Sequence, residues 1–131
     1  MMEHPEINVF IIDDDLDLLN YYTIIFRMKG INVVGTATSG NEAILKLKND
    51  IVKPDYILID YHMPEINGIE ASRNILKIDE TFKIIMVSGD SSIKEKAFSS
   101  GIIDFYDKRC NLDILCAKLR RLSTKDKQND K

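Results

Sequence analysis

The residues of this sequence with chemical potential stand where its apolar runs stop. Ile7–Ile12 is halted by Asp13, Asp14 and Asp15, and Tyr56–Ile59 is halted by Asp60. A third run, Lys83–Val87, ends at Ser88 and Gly89, and Lys108 follows the run Ile102–Tyr106. Carboxylates brought together repel, and one of them holds a proton unless a cation intervenes. A hard divalent cation removes the conflict, and magnesium suits a site of few carboxylates, a carbonyl and several waters. A carboxylate beside such an ion is either a ligand or a nucleophile that attacks phosphorus and becomes an aspartyl phosphate. A lysine then pairs with the phosphoryl oxygens as a point charge. A serine hydroxyl adds a further hydrogen bond, each charge-assisted bond being worth about 1.5–3 kcal/mol. Aspartates at strand ends also serve simply as turn and cap residues. For Asp15 both readings stand, whereas for Asp13, Asp14 and Asp60 a lysine and a hydroxyl at comparable strand ends favour the metal reading.

These groups meet only if the chain gathers its strand ends at one edge. The run at 7–12 is short and rich in β-branched residues, as expected of a strand buried on both faces. Leu18, Leu19, Tyr22, Ile25 and Phe26 then recur at helical spacing, with Asp15 and Asp17 at the start and Arg27 and Lys29 at the end, as the helix dipole prefers. Val33–Thr38 reads as a weaker strand. Ser39 with Glu42 three residues on matches a capping box for a helix carrying Ala43, Ile44 and Leu47. Beyond the strand at 56–59, a helix is expected from about Asn67 to Ile78. After Lys83–Val87 comes a short helix over 90–100 with Ile93, Ala97 and Phe98 on its apolar side and Gly101 as its C′ residue. The strand Ile102–Tyr106 precedes a last helix, capped by Asn111 and ending near Leu122. Strand–helix–strand units at this spacing make right-handed parallel crossovers. The fold class expected is α/β: a five-stranded parallel sheet, doubly wound, with five helices on both faces. A closed barrel needs about 250 residues. Ligands of an open parallel sheet bind beyond the carboxyl ends of the strands, where Asp13, Asp14, Asp60, Ser88 and Lys108 fall.

Composition agrees with one ordered domain. The chain has 131 residues, 44% hydrophobic and 30% charged, with a net charge of -3. That mild acidity argues against general nucleic-acid binding. No stretch approaches the roughly 20 apolar residues of a membrane span. Cys110 and Cys116 suggest neither a disulfide framework nor a zinc site, so the cytoplasm is the expected compartment. Gly35 and Gly40 lack the spacing and the lysine of a phosphate-binding loop.

Five motifs in order extend this reading: Val-Phe-Ile-Ile-Asp-Asp-Asp at 9–15, Pro-Asp-Tyr-Ile-Leu-Ile-Asp at 54–60, Met-Pro-Glu-Ile-Asn-Gly at 63–68, Ile-Ile-Met-Val-Ser-Gly at 84–89 and Asp-Phe-Tyr-Asp-Lys at 104–108. On these motifs the chain resembles the receiver domains of two-component response regulators, from about Ile7 to Leu122. The resemblance implies a flavodoxin-like sheet of order 2-1-3-4-5 over 7–122, which leaves an N-terminal extension at 1–6, and the almost wholly polar residues 123–131 read as a flexible tail. It implies that Asp60 is the phosphoacceptor and that Asp14 is a direct Mg2+ ligand. Asp13 would reach the ion through water, and the backbone carbonyl of His62 would be the third protein ligand. Ser88 matches the switch hydroxyl, Lys108 the phosphoryl-contacting lysine and Phe105 the aromatic switch residue. The implied phosphodonor is a histidine kinase or phosphotransfer protein, with the surface of the fourth helix, fifth strand and fifth helix offered to a downstream protein. Such a chain catalyses its own aspartyl phosphorylation and dephosphorylation, binds no nucleic acid or membrane directly, and is a monomer or weak dimer.

Two other functions are consistent with these residues: a receiver fragment of a DNA-binding regulator or hybrid kinase, and a non-phosphorylated protein-binding module. The expected side-chain roles of His62 and Asp90 are to modulate the rate at which water or a phosphodonor reaches Asp60. Their plain alternatives are a loop histidine that supplies only its carbonyl and an acid that takes no part. Strand alternation places Phe105 and Tyr106 on opposite faces. Arg109 stands where relatives usually carry proline, and Gly89 where they often carry alanine. A non-proline peptide prefers trans by about 2.5–4 kcal/mol, which leaves the conformation of the Lys108–Arg109 bond open.

Overall fold

The computed structural model describes residues 6–49 and 52–129. Most of the expected N-terminal extension and the last two residues lie outside them. The elements are β1 (Asn8–Ile12), α1 (Leu16–Met28), β2 (Asn32–Ala37), α2 (Gly40–Asn49), β3 (Tyr56–Asp60), α3 (Gly68–Ile78), β4 (Ile84–Ser88), α4 (Lys94–Ser99), β5 (Asp104–Asp107) and α5 (Leu112–Asn129). All neighbouring strands pair in parallel, in the order β2-β1-β3-β4-β5.

Alternation along the strands builds two cores. Phe10, Ile12, Ile57, Ile59, Ile84, Met86 and Phe105 pack with Ala43, Leu47, Ala71, Ile75 and Ala97 of α2, α3 and α4. Val9, Ile11, Tyr56, Leu58, Ile85, Val87 and Tyr106 pack with Leu19, Tyr22, Phe26, Leu115 and Leu119 of α1 and α5. Each fully buried side chain of this size stabilises by about 1.5–3 kcal/mol. The layers therefore hold the strand ends, and the acids they carry, in fixed register.

Local signals start the helices. Asp15 accepts from the Leu18 N–H and Asn67 from the Glu70 N–H at 2.9 Å. Ser39 Oγ accepts from Glu42 N at 3.1 Å. The expected capping box is only half made, because the Glu42 carboxylate turns to Thr38 Oγ1 at 3.2 Å and Lys46 Nζ at 3.1 Å.

Three expectations need correction. The helix at 90–100 is split into a 3-10 turn, Ser91–Ile93, and α4. Ile93 and Ala97 face the core, and Phe98, one residue round the helix, is 41% exposed. The fifth strand begins at Asp104, not Ile102. The last helix does not end near Leu122: α5 continues to Asn129. Its polar composition reads as fraying, but Ser123 is buried. Asp126 accepts from the Tyr56 hydroxyl at 2.6 Å and from Lys83 Nζ at 2.7 Å. Tertiary partners on β3 and just before β4 thus hold turns that local signals leave open.

Ser72 of α3 is fully buried, and its Oγ lacks a hydrogen-bond partner among the described residues. An unsatisfied buried hydroxyl costs about 1–3 kcal/mol, and alanine is the better helix former. Ser72→Ala is therefore expected to stabilise the fold by about 1 kcal/mol, raising the melting temperature by roughly 3–6 °C. A lower melting temperature in differential scanning calorimetry would show that the hydroxyl has a partner.

Candidate functional site

The carboxyl edge of the sheet brings the acids together. Asp13 follows β1 directly, and its N–H donates to the Ala37 carbonyl at 3.0 Å. Its Oδ1 accepts from the Asp15 N–H at 3.0 Å. Asp60 is the last residue of β3, in register with Val87. Asp13 and Asp60 are buried, at 2% and 7% exposure, while Asp14 faces solvent. One carboxylate oxygen from each of Asp13, Asp14 and Asp60 lies within 4.8 Å of the others. Asp15 resolves as a helix cap, since its carboxylate is spent on the Leu18 N–H.

Lys108 bridges two of these acids. Its Nζ lies 3.3 Å from Asp13 Oδ2 and 3.3 Å from Asp60 Oδ2, and its backbone N–H donates to the Ser88 carbonyl at 3.0 Å. Burial raises the pKa of Asp13 above the ordinary carboxylate value against the pull of the Asp15 N–H and Lys108. Burial and the neighbouring Asp13 likewise raise that of Asp60. Burial opposes the charge on Lys108, but Asp60 and Asp13 outweigh it and raise its pKa. Two buried acids against one amine remain short of positive charge. All-oxygen donors at the carboxyl ends of adjacent strands, with Asp14 open to solvent, fit a hard divalent ion that keeps part of its water shell.

The remaining expected residues surround this centre. Ser88 is buried, and its Oγ accepts from Asp90 N at 3.1 Å. Phe105 and Tyr106 do lie on opposite faces. The Tyr106 hydroxyl is pinned to the carbonyls of Cys110 and Asn111 at 2.6 and 2.7 Å. The buried Phe105 ring has only Lys94 Nζ, 5.9 Å from its centroid, as a cationic neighbour among the described residues. His62 is exposed, its ring edge-on to Tyr61 at 4.7 Å. Asp90 caps the 3-10 turn through Ser92 N at 2.9 Å and Ser92 Oγ at 2.5 Å. Those bonds lower its pKa. The Lys108–Arg109 bond is trans, as is every peptide bond of the described residues.

Two features escape sequence reasoning. Gly68 enters the sequence reading only as the last residue of the motif at 63–68, yet a Cβ there would sit 2.4 Å from the Asp60 carbonyl oxygen. Its N–H donates to the Tyr61 carbonyl at 2.8 Å, closing the loop that leaves the site. The second is the Asp107–Arg109 pair, whose only sequence signal is two opposite charges flanking the lysine. Beside Lys108, a cleft of about 410 Å³ opens between α1 and the loop after β5, lined by Leu18, Tyr21, Tyr22, Tyr106 and Leu112 among others.

Comparison with known proteins places this geometry in context. The family model described as the response regulator receiver domain matches residues 9–120. The chemotaxis protein CheY of Thermotoga maritima is 39% identical over 102 residues, which cover 76% of this chain and 83% of that protein. A protein-glutamate methylesterase/protein-glutamine glutaminase of Nitrosospira multiformis is 35% identical over 75% of this chain, but the match spans only 27% of that longer protein. Among solved structures, the CheX-CheY-BeF3-Mg2+ complex from Borrelia burgdorferi superimposes with a TM-score of 0.76 at 31% identity, covering 90% of this chain and 88% of that chain.

Proposed function

Since this chain belongs to the response regulator receiver domain family, we propose that it is a switch that accepts a phosphoryl group on Asp60. The observation that carries this reading is the meeting of Asp13, Asp14 and Asp60 within 4.8 Å, with Lys108 bridging Asp13 and Asp60. Asp13, Asp14, Asp60 and the carbonyl of His62 would hold Mg2+, which when bound supplies positive charge to the transferring phosphoryl oxygens. An oxygen of Asp60 attacks phosphorus in line, and the N–P bond of a phosphohistidine on the donor protein breaks. The imidazole leaves with the electron pair and takes up a proton. Lys108 exchanges its contacts with the free carboxylates for the phosphoryl oxygens. Positioning and electrostatics supply the catalysis. Water later attacks phosphorus, releasing inorganic phosphate and regenerating the carboxylate, and in this reading the exposed His62 and the half-buried Asp90 modulate its approach.

Signal output follows from Ser88 and Phe105. The Ser88 hydroxyl already accepts from Asp90 N and keeps its own proton to donate to the aspartyl phosphate. Phe105 is buried in this structure, so its role is a shift in population between this packing and one with the ring turned outward. The affected surface is that of α4, β5 and α5, where a downstream protein docks. The donor is a histidine kinase or phosphotransfer protein. The CheX–CheY complex supports a protein partner for this chain. No helix of the described residues is long and apolar enough to cross a membrane. The chain acts in the cytoplasm without binding nucleic acid.

Intact-mass spectrometry after incubation with Mg2+ and a small phosphodonor tests the reading. The expected result is a gain of one phosphoryl group that requires Mg2+ and disappears in Asp60→Asn. Failure with small donors and with a panel of histidine kinases would leave a protein-binding module instead.

A further inference from the structure

The turn after β5 must present Lys108 to two acids on other strands, yet residue 109 is an arginine, whose φ is not restricted by a ring. Arg109 gives three donors to the carboxylate of Asp107. Its backbone N–H and Nε reach Oδ1 at 2.9 and 3.0 Å, and Nη2 reaches Oδ2 at 2.7 Å. Cys110 N–H closes the same turn on the Asp107 carbonyl at 2.9 Å, and Lys108 N–H is tied to Ser88. We infer that Asp107 and Arg109 are positioning residues, a clamp across Lys108 that holds its amine against Asp13 and Asp60. This rests on the phosphoacceptor reading of Asp60.

Exposed ion pairs are ordinarily weak, because two long side chains must be ordered and water screens them. This pair differs in its geometry. The guanidinium meets the carboxylate as a fork, the partners are two residues apart, and the short Asp107 side chain simultaneously captures the backbone of the turn. The hydrogen bonds from Arg109 also lower the Asp107 pKa to about 2. Lysine cannot replace the arginine, since an ammonium lacks the planar fork.

The full-length chain tests the inference with Asp107→Ala, Arg109→Ala and Arg109→Lys. Backbone amide exchange by NMR, without metal, is expected to show the Lys108 and Cys110 amides exchanging about tenfold faster in all three, with the strand amides unchanged. Mg2+-dependent phosphorylation by a small donor is expected to slow about tenfold or more, as misplacement of a catalytic group does. Mg2+ affinity by calorimetry is expected not to fall, because its ligands lie on and after β1 and β3 and a displaced amine only removes a competing charge from Asp13 and Asp60. Parent-like exchange and rate in the variants would overturn the clamp while leaving Asp60 chemistry intact. A loss of Mg2+ affinity in step with rate would also overturn it, as general loosening of the site. Should the parent itself take up no phosphoryl group, the phosphoacceptor reading falls and the exchange rates alone decide whether the clamp orders the turn.

Discussion

Lys108→Ala is expected to slow phosphoryl uptake at Asp60 by about 10²–10³-fold, the usual cost of removing one preorganised group from a charge-developing site. The amine sits 3.3 Å from both Asp13 and Asp60, and no other cation bridges them among the described residues. The same substitution acts on stability. Burial already raises the pKa of both acids, so each favours folding while protonated. That contribution is lost as pH rises through the folded-state pKa. Removing the amine increases the repulsion and enlarges the loss at neutral pH. Breaking a fully buried pair costs about 3–5 kcal/mol. Lys108 is a third exposed and the acids can take up a proton, so about 1–2 kcal/mol is expected here. Urea titrations at pH 5 and pH 8 should show the deficit mainly at the higher pH. Mg2+ at ten times its dissociation constant should restore about 1.4 kcal/mol. A variant with the parent rate would remove Lys108 from the mechanism.

Gly68→Ala is expected to destabilise the protein by about 3 kcal/mol and to displace the acceptor. The added Cβ would lie 2.4 Å from the Asp60 carbonyl oxygen and 3.0 Å from Tyr61 Cα. Both are backbone atoms, so no rotamer change relieves the overlap, and overpacking of this kind costs about 1–3 kcal/mol or more. Helix propensity alone predicts the opposite sign, a gain of about 1 kcal/mol for alanine. The steric overlap outweighs that gain. Gly89→Ala provides the control: nothing lies within 4 Å of where its Cβ would stand, and little change is expected. Denaturant midpoints check both, and equal midpoints would sink the close-approach argument. Because Asp60 itself must shift, phosphoryl uptake should fall further than stability accounts for.

How far the sequence can be read differs between sheet and surroundings. The central strands are legible because continuous apolar runs ended by Asp13, Asp60 and Ser88 admit few other structures. The metal-fitting set follows, since parallel strands must put those ends on one edge. Caps at Asp15 and Ser39 are legible because their bonds span three residues or fewer. Phe98 is not, because it stands about 100° round α4 from Ala97, and only the packed structure shows which of the two turns to the core.

Local chemistry in the chain determined the order of elements, the acids at the strand ends and the lysine that follows β5. Tertiary structure decided that α5 continues past Leu122, because Asp126 finds its partners on Tyr56 and Lys83. It also decided how Lys108 is held and why residue 68 has no side chain. Short-range periodicity and capping are written in neighbouring residues. Contacts between segments far apart in the chain exist only once the sheet has brought them together.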